Sequence, residues 1–278
     1  MWKCENEFRS LPVMYSRPGL ALKYLHYYLT ASNGKGHGIH SPYIFRFITH
    51  VLNDKIHYPE YDTIELLRRR LLNDKTVLTI EDLGAGSSVT KSDHRSIATI
   101  AKNSAKSKKL GQLLFRIIKE YQPETILELG TSLGITTSYM GLANPEAKII
   151  TIEGAPAVAA VALKNFNGLQ LSNIEIKEGN FDDILSQVVS GMPAVDLAFI
   201  DGNHRREPTL HYFQELLLKT HNDSILIVDD IHWSQEMEEA WSTIKAHPSV
   251  RCSVDLFFIG IVFFRHEFRE KQHFTIRF

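Results

Sequence analysis

Cysteine is nearly absent. Cys4 and Cys252 are the only two in 278 residues, and they lie far apart with no metal-ligand spacing between them. A reducing compartment fits that usage. Long apolar runs are missing as well. The longest, Leu256-Phe-Phe-Ile-Gly-Ile-Val-Phe-Phe264, is about half of what a membrane-spanning helix needs. The opening Met1-Trp-Lys-Cys-Glu-Asn-Glu lacks the continuous apolar stretch of a signal peptide. A cytoplasmic protein without a membrane partner is the expectation. Neither sign of charge is in excess: 31 Lys and Arg stand against 32 Asp and Glu. Nothing global argues for nucleic acid or an anionic surface. The four lysines Lys102, Lys106, Lys108 and Lys109 have no interleaved aromatics and read as a solvated helix face. No internal repeat or low-complexity tract occurs. The length suits one large domain or two small ones.

Against that ordinary background one segment is specific. Thr125-Ile-Leu-Glu-Leu-Gly-Thr-Ser-Leu-Gly-Ile-Thr-Thr137 is an apolar run ending in a glycine-broken turn, and about 20 residues later Ile149-Ile-Thr-Ile-Glu153 ends in an acid. That is the pattern of a nucleoside-binding βαβ unit. Gly130 and Gly134 permit the sharp turn. The order E-x-G-x-x-x-G lacks a glycine of the dinucleotide pattern, so the phosphate cradle at the helix N-terminus is incomplete. S-adenosylmethionine (SAM), which has no phosphate, suits it better, with Glu153 placed to accept hydrogen bonds from both ribose hydroxyls.

Apolar runs and helical segments alternate from Gly111 onward. Strands are expected over 125–129, 148–152, 174–177, 197–200 and 224–228, with helices near 135–143, 155–165, 181–190, 208–219 and 235–246. The runs 251–256 and 260–264 are joined too tightly for a helical crossover and should pair antiparallel at one sheet edge. Residues 1–107 read as a mainly helical N-terminal extension that could cover an acceptor site, and residues 108–278 as the SAM-binding domain. Within the extension, Val77 to Ser87 imitates a second nucleotide-binding strand and turn, but no second strand ending in an acid follows. The Gly84-Ala-Gly-Ser87 turn is therefore read as structural, with an anion loop as the alternative. His37 and His40 share an H-x-x-H spacing in a glycine-rich loop with no third ligand nearby, which suits a loop bordering the acceptor site better than a metal.

Ligands on open α/β sheets bind beyond the carboxyl ends of the strands. The polar residues at those ends are Glu128, Glu153, Asn180, Asp201, Asp229 and Asp230. Any one of them could be a helix cap; their convergence is what argues for a site.

The segments Lys109 to Tyr139, Ile149 to Phe166, Asp196-Leu-Ala-Phe-Ile-Asp-Gly-Asn-His204 and Ile225-Leu-Ile-Val-Asp-Asp-Ile-His-Trp233 together resemble the catechol and caffeoyl-CoA type of O-methyltransferase over residues 108–264. The extension with His37-Gly-Ile-His-Ser-Pro42 resembles that of little-characterised bacterial SAM-dependent methyltransferases. The resemblance implies a Rossmann-like seven-stranded α/β sheet, mostly parallel with a terminal antiparallel hairpin. It implies that Glu128, Gly130, Ser132, Gly134 and Thr136 line the methionine end of SAM, that Glu153 holds the ribose, and that Asn180 and Phe181 lie by the adenine. Asp201, Asp229 and Asp230 fall on the group's positions for Mg²⁺ ligands, with Asp where the third ligand is usually Asn. His204 falls where the group has a lysine base. An imidazole can serve as base near neutrality; the alternative is that His204 caps the following helix or hydrogen-bonds a carboxylate. Trp233 is either an acceptor-pocket wall or core. The expected function is O-methyl transfer to a small-molecule hydroxyl assisted by Mg²⁺ or another divalent cation, with a homodimer as a candidate assembly. Metal-independent transfer and a non-catalytic SAM-binding protein whose extension binds a partner are the rivals.

Overall fold

The computed structural model describes residues 14–32, 34–36, 40–80 and 94–278. Helix starts in the N-terminal part follow from local signals. The Ser16 hydroxyl accepts from the Gly19 N–H and caps α1 (Arg17–Thr30), with Pro18 in the first turn. Ser41 caps α2 (Pro42–Arg46) through the Ile44 N–H. The chain continues into a π-helical turn, Phe47–Leu52, which buries Phe47, Ile48, Val51 and Leu52. Then come α3 (Pro59–Leu72), the short strands β1 (Val77–Thr79) and β2 (His94–Ser96), and α4 (Ile97–Ser104). The apolar run at Val77 pairs antiparallel with β2 alone and takes no place in the main sheet. His37 and the Gly84-Ala-Gly-Ser87 turn lie outside the described residues.

After α5 (Lys108–Tyr121) the main sheet is laid down as β3 (Thr125–Leu129), β4 (Lys148–Glu153), β5 (Ile174–Glu178), β6 (Leu197–Ile200) and β7 (Ile225–Asp229). Between these strands run α6 (Ile135–Ala143), α7 (Pro156–Gly168), α8 (Phe181–Gly191) and α9 (Arg206–Leu217). The chain ends with α10 (Gln235–Ala246), β8 (Cys252–Asp255), β9 (Ile259–Phe263) and β10 (Gln272–Thr275). Spatial order is β10-β8-β9-β7-β6-β3-β4-β5. Strands β3 to β7 run parallel to one another, and β9 runs antiparallel to both β7 and β8. The seven expected strands are therefore present. An eighth, β10, joins β8 in parallel at the edge beyond the hairpin.

Side chains alternate between the two faces of each strand. Ile126, Leu197, Phe199, Ile225 and Ile227 point into a core shared with Phe115 of α5 and with Phe47, Ile48 and Val51 of the π-helical turn. Leu127, Leu129, Ala198, Ile200, Leu226 and Val228 point into a second core with residues of α8, α9 and α10. The N-terminal elements thus build one face of the sheet. The strand order reverses between β3 and β6, and the crevice beyond their carboxyl ends is where such sheets take ligands. No helix among the described residues is long and apolar enough to cross a membrane.

Candidate functional site

The turn after β3 crosses closely over the end of β6. The Gly130 N–H bonds to the Ile152 carbonyl (3.0 Å) and the Asp201 N–H to that of Leu129 (2.9 Å). Gly130 has φ +106°, and a Cβ there would lie 2.1 Å from the Asp201 carbonyl oxygen. Only glycine allows this approach. Gly134, at φ 77°, precedes the first turn of α6. Gly130 to Leu133, Ile135, Thr136 and Asp201 line a cleft together with Ala101, Ser104 and Ala105 from the end of α4.

Glu128 is fully buried beneath this turn. One of its oxygens accepts from the Thr137 hydroxyl (2.5 Å) and the Thr151 hydroxyl (2.7 Å). Its Oε1 has no hydrogen-bond partner among the described residues. Burial raises its pKa to about 8, with the two hydroxyls opposing and the charges of Asp201 and Glu153 adding to the rise. Glu153 accepts from the Ser132 N–H (2.8 Å) and the Ala155 N–H (2.9 Å), which bridges the turn to the start of α7. Ser132 is held at φ 48°, a left-handed conformation uncommon outside glycine. Asn180 caps α8, its side chain accepting from the Asp182 N–H (3.2 Å). Phe181 lies against Gly202, where a Cβ would stand 2.5 Å from the ring.

Asp201, Asp229 and Asp230 gather at the ends of β6 and β7. Asn203 and Asp230 both have φ 53°, so the two loops that carry the cluster turn sharply. His204 Nε2 stands 3.7 Å from Asp201 and 3.8 Å from Asp230. One donor atom each from Asp201, His204 and Asp229 lies within 4.8 Å of the others. Among them sits a residue whose role the sequence did not reveal. The Lys106 ammonium, from the connection between α4 and α5, pairs with Asp201 at 2.8 Å and with Asp229. Its side chain is 15% exposed, whereas Lys102, Lys108 and Lys109 are at the surface. The solvated-face reading of this lysine run fails at Lys106, because an ion pair spanning 123 residues leaves no local trace. Burial raises the Asp201 and Asp229 carboxyls, and the ammonium works against that rise. Burial lowers His204 to about 4, against the pull of Asp201, so its imidazole is neutral at neutral pH.

The structure brings Glu128, Gly130, Ser132, Thr136, Glu153 and Asp201 to one crevice, with Asp229, Asp230 and His204 beside it. His232 serves elsewhere. It sits between Glu238 and Asp255, each at 2.9 Å, and stacks on Phe257. Trp233 is half-buried, and His40 is exposed at the surface.

Comparison with known proteins agrees with this geometry. A family described as a methyltransferase domain matches residues 127–231. A catechol O-methyltransferase of Niastella koreensis is 36% identical over 124 residues, covering 44% of this chain and 55% of that protein. The Bos taurus catechol O-methyltransferase is 34% identical over 98 residues, covering 34% of this chain and 36% of its own length. The chain thus spans about half or less of these curated relatives. An O-methyltransferase of Bacillus cereus, solved in complex with SAH, superposes with a TM-score of 0.54 at 16% identity, over 80% of this chain and 97% of that one. Residues 127–231 are thus similar to a methyltransferase domain, and the chain shares its fold with a solved O-methyltransferase.

Proposed function

We propose that the chain is a SAM-dependent methyltransferase that transfers a methyl group to a hydroxyl of a small molecule. The convergence of Glu128, Glu153 and Asp201 on one glycine turn carries this reading. Asp201 and Glu153 both add to the rise of the Glu128 carboxyl, so three acids around one crevice favour a ligand with a cationic end, and an ammonium there would favour the ionised form of Glu128 with its buried Oε1 as acceptor. SAM has a cationic amino-acid end and a sulfonium; a dinucleotide, with its pyrophosphate, would meet repulsion here. In this reading Glu128, Gly130, Ser132, Gly134 and Thr136 bind the methionine portion. Glu153 uses lone pairs beyond those taken by Ser132 and Ala155 for the ribose, and Asn180 with Phe181 borders the adenine. SAM supplies the methyl group on a good leaving group, and the crevice aligns the acceptor for in-line attack.

The acidic cluster also fits a hard divalent cation. Lys106 supplies one positive charge against the carboxyls of Asp201, Asp229 and Asp230, and the donor set is mainly oxygen. Asp201, Asp229 and Asp230 would hold the ion. A bound Mg²⁺ lowers the pKa of a coordinated hydroxyl. His204, neutral at working pH, accepts the acceptor's proton. The buried Lys106 supports a second reading, metal-independent transfer, in which the ammonium provides the positive charge beside the acceptor.

Titration calorimetry with S-adenosylhomocysteine and with NAD tests the assignment. The homocysteine compound should bind and NAD should not; equal or tighter binding of NAD overturns the reading. Methyl transfer from SAM to catechol, the acceptor in the relatives' name, with Mg²⁺ or with a chelator separates the two forms of the mechanism.

A further inference from the structure

Lys106 carries a largely buried charge beside the crevice that the metal-assisted chemistry does not require. Its ammonium touches Asp201 and Asp229, two of the three residues whose donor atoms lie within 4.8 Å of one another. A divalent ion bound to oxygen ligands at about 2.0–2.6 Å would sit in the space the ammonium fills. Two cations cannot share it without strong repulsion at low dielectric. The carboxyls of Asp201, Asp229 and Asp230 outnumber the single ammonium, so a doubly charged ion can compete with it for the cluster.

We propose that the Lys106 ammonium and a divalent cation are alternative occupants of the Asp201–Asp229 cluster, which makes the α4–α5 connection a tethered competitor that sets metal affinity. This rests on the metal-assisted reading of the site. The tether is short: only residues 105–107 separate α4 from α5. Lysine is long and rotatable, and the neighbouring Lys102, Lys108 and Lys109 lie at the surface, so the ammonium has solvent to retreat to. Ser104 and Ala105 wall the cleft just ahead of Lys106. An ion that expels the ammonium therefore also releases the adjoining wall, linking occupancy of the cluster to the shape of the crevice.

The test is Mn²⁺ binding to the full chain by calorimetry, without SAM. Lys106→Met should bind Mn²⁺ about 10-fold to 100-fold more tightly than wild type, the span of ordinary site-to-site coupling. Lys106→Arg, which keeps the charge, should stay close to wild type. Equal or weaker binding by Lys106→Met, or no Mn²⁺ binding by either protein, overturns the proposal. Should Lys106→Met fail to fold, the wild type answers through amine acylation read by mass spectrometry. Lys106 should be protected without metal and labelled with saturating Mn²⁺; labelling unchanged by Mn²⁺ overturns the proposal. S-adenosylhomocysteine binding measured on the same samples reports separately on the methyltransferase reading.

Discussion

Glu128 has no solvent exposure and, among the described residues, no partner for its second oxygen, so its proton is held more tightly than in water although two hydroxyls donate to the first. Burial is the main cause, and it moves the pKa from an ordinary 4.5 to about 8. Below pH 4.5 the folded and unfolded chains both keep the proton, and the group contributes no pH dependence. Between 4.5 and about 8 the unfolded chain loses it while the folded chain retains it, so stability falls as pH rises. Glu128→Gln, which cannot ionise, should remove that slope. Urea unfolding at pH 5, 6.5 and 8 checks it: the difference in stability, mutant minus wild type, should grow steadily toward pH 8. Parallel profiles would mean that the folded protein carries Glu128 ionised. The acid itself was legible in the sequence because it ends an apolar strand before a glycine. Its protonation was not, since that depends on Thr151 from the next strand and on depth in the fold.

At the scale of elements, α1 packs Leu20, Tyr24 and Tyr27 against Phe257 and is also tied down by a small polar network. Tyr15 and Lys23 donate to Glu238 of α10 at 2.8 and 3.0 Å, and His232 joins Glu238 to Asp255. Burial alone would lower His232, but the two carboxylates outweigh it and favour the charged ring. Glu238→Ala removes the common acceptor. Amides of α1 should then exchange with solvent about tenfold faster, the equivalent of 1.4 kcal/mol, while those of β3 and β6 stay unchanged. Hydrogen exchange followed by mass spectrometry would show it, and unchanged exchange in α1 would assign the anchoring to Tyr27 and Phe257 instead. Most elements could be read from the chain because each carries its own period or cap, as in Thr125–Leu129 or Ser16 before α1. The exceptions lack such a mark. Strand β10, Gln272-His-Phe-Thr275, is half polar and exists because β8 offers a free edge. The short β1 exists only through β2, and Lys106 gained its meaning only when the connection between α4 and α5 met Asp201 and Asp229 at the ends of β6 and β7.

For the whole molecule, the division into extension and domain that the sequence suggests does not correspond to two hydrophobic cores. Phe47, from the π-helical turn, is fully buried and packs edge-on against Phe263 of β9 at 6.0 Å between ring centres. It belongs to the same cluster as Phe115 and the sheet residues Phe199, Ile225 and Ile227. Arg116 of α5 reinforces the join by donating to the Val51 carbonyl at 2.6 Å. A face of the sheet that is covered by the N-terminal elements cannot stay folded in water once they leave, because its apolar side chains would be exposed. The two parts should therefore melt together. Phe47→Ala creates a cavity at their junction and should cost about 3–5 kcal/mol, typical for a buried phenylalanine. For a chain of this size that corresponds to a fall of roughly 6–15 °C in Tm. Scanning calorimetry should show one endotherm for both proteins, displaced as a unit in the variant. A variant that splits into an early transition and an unmoved late one would show instead that the sheet stands without its N-terminal cover, and the extension would then be free to open the crevice independently of the domain beneath it.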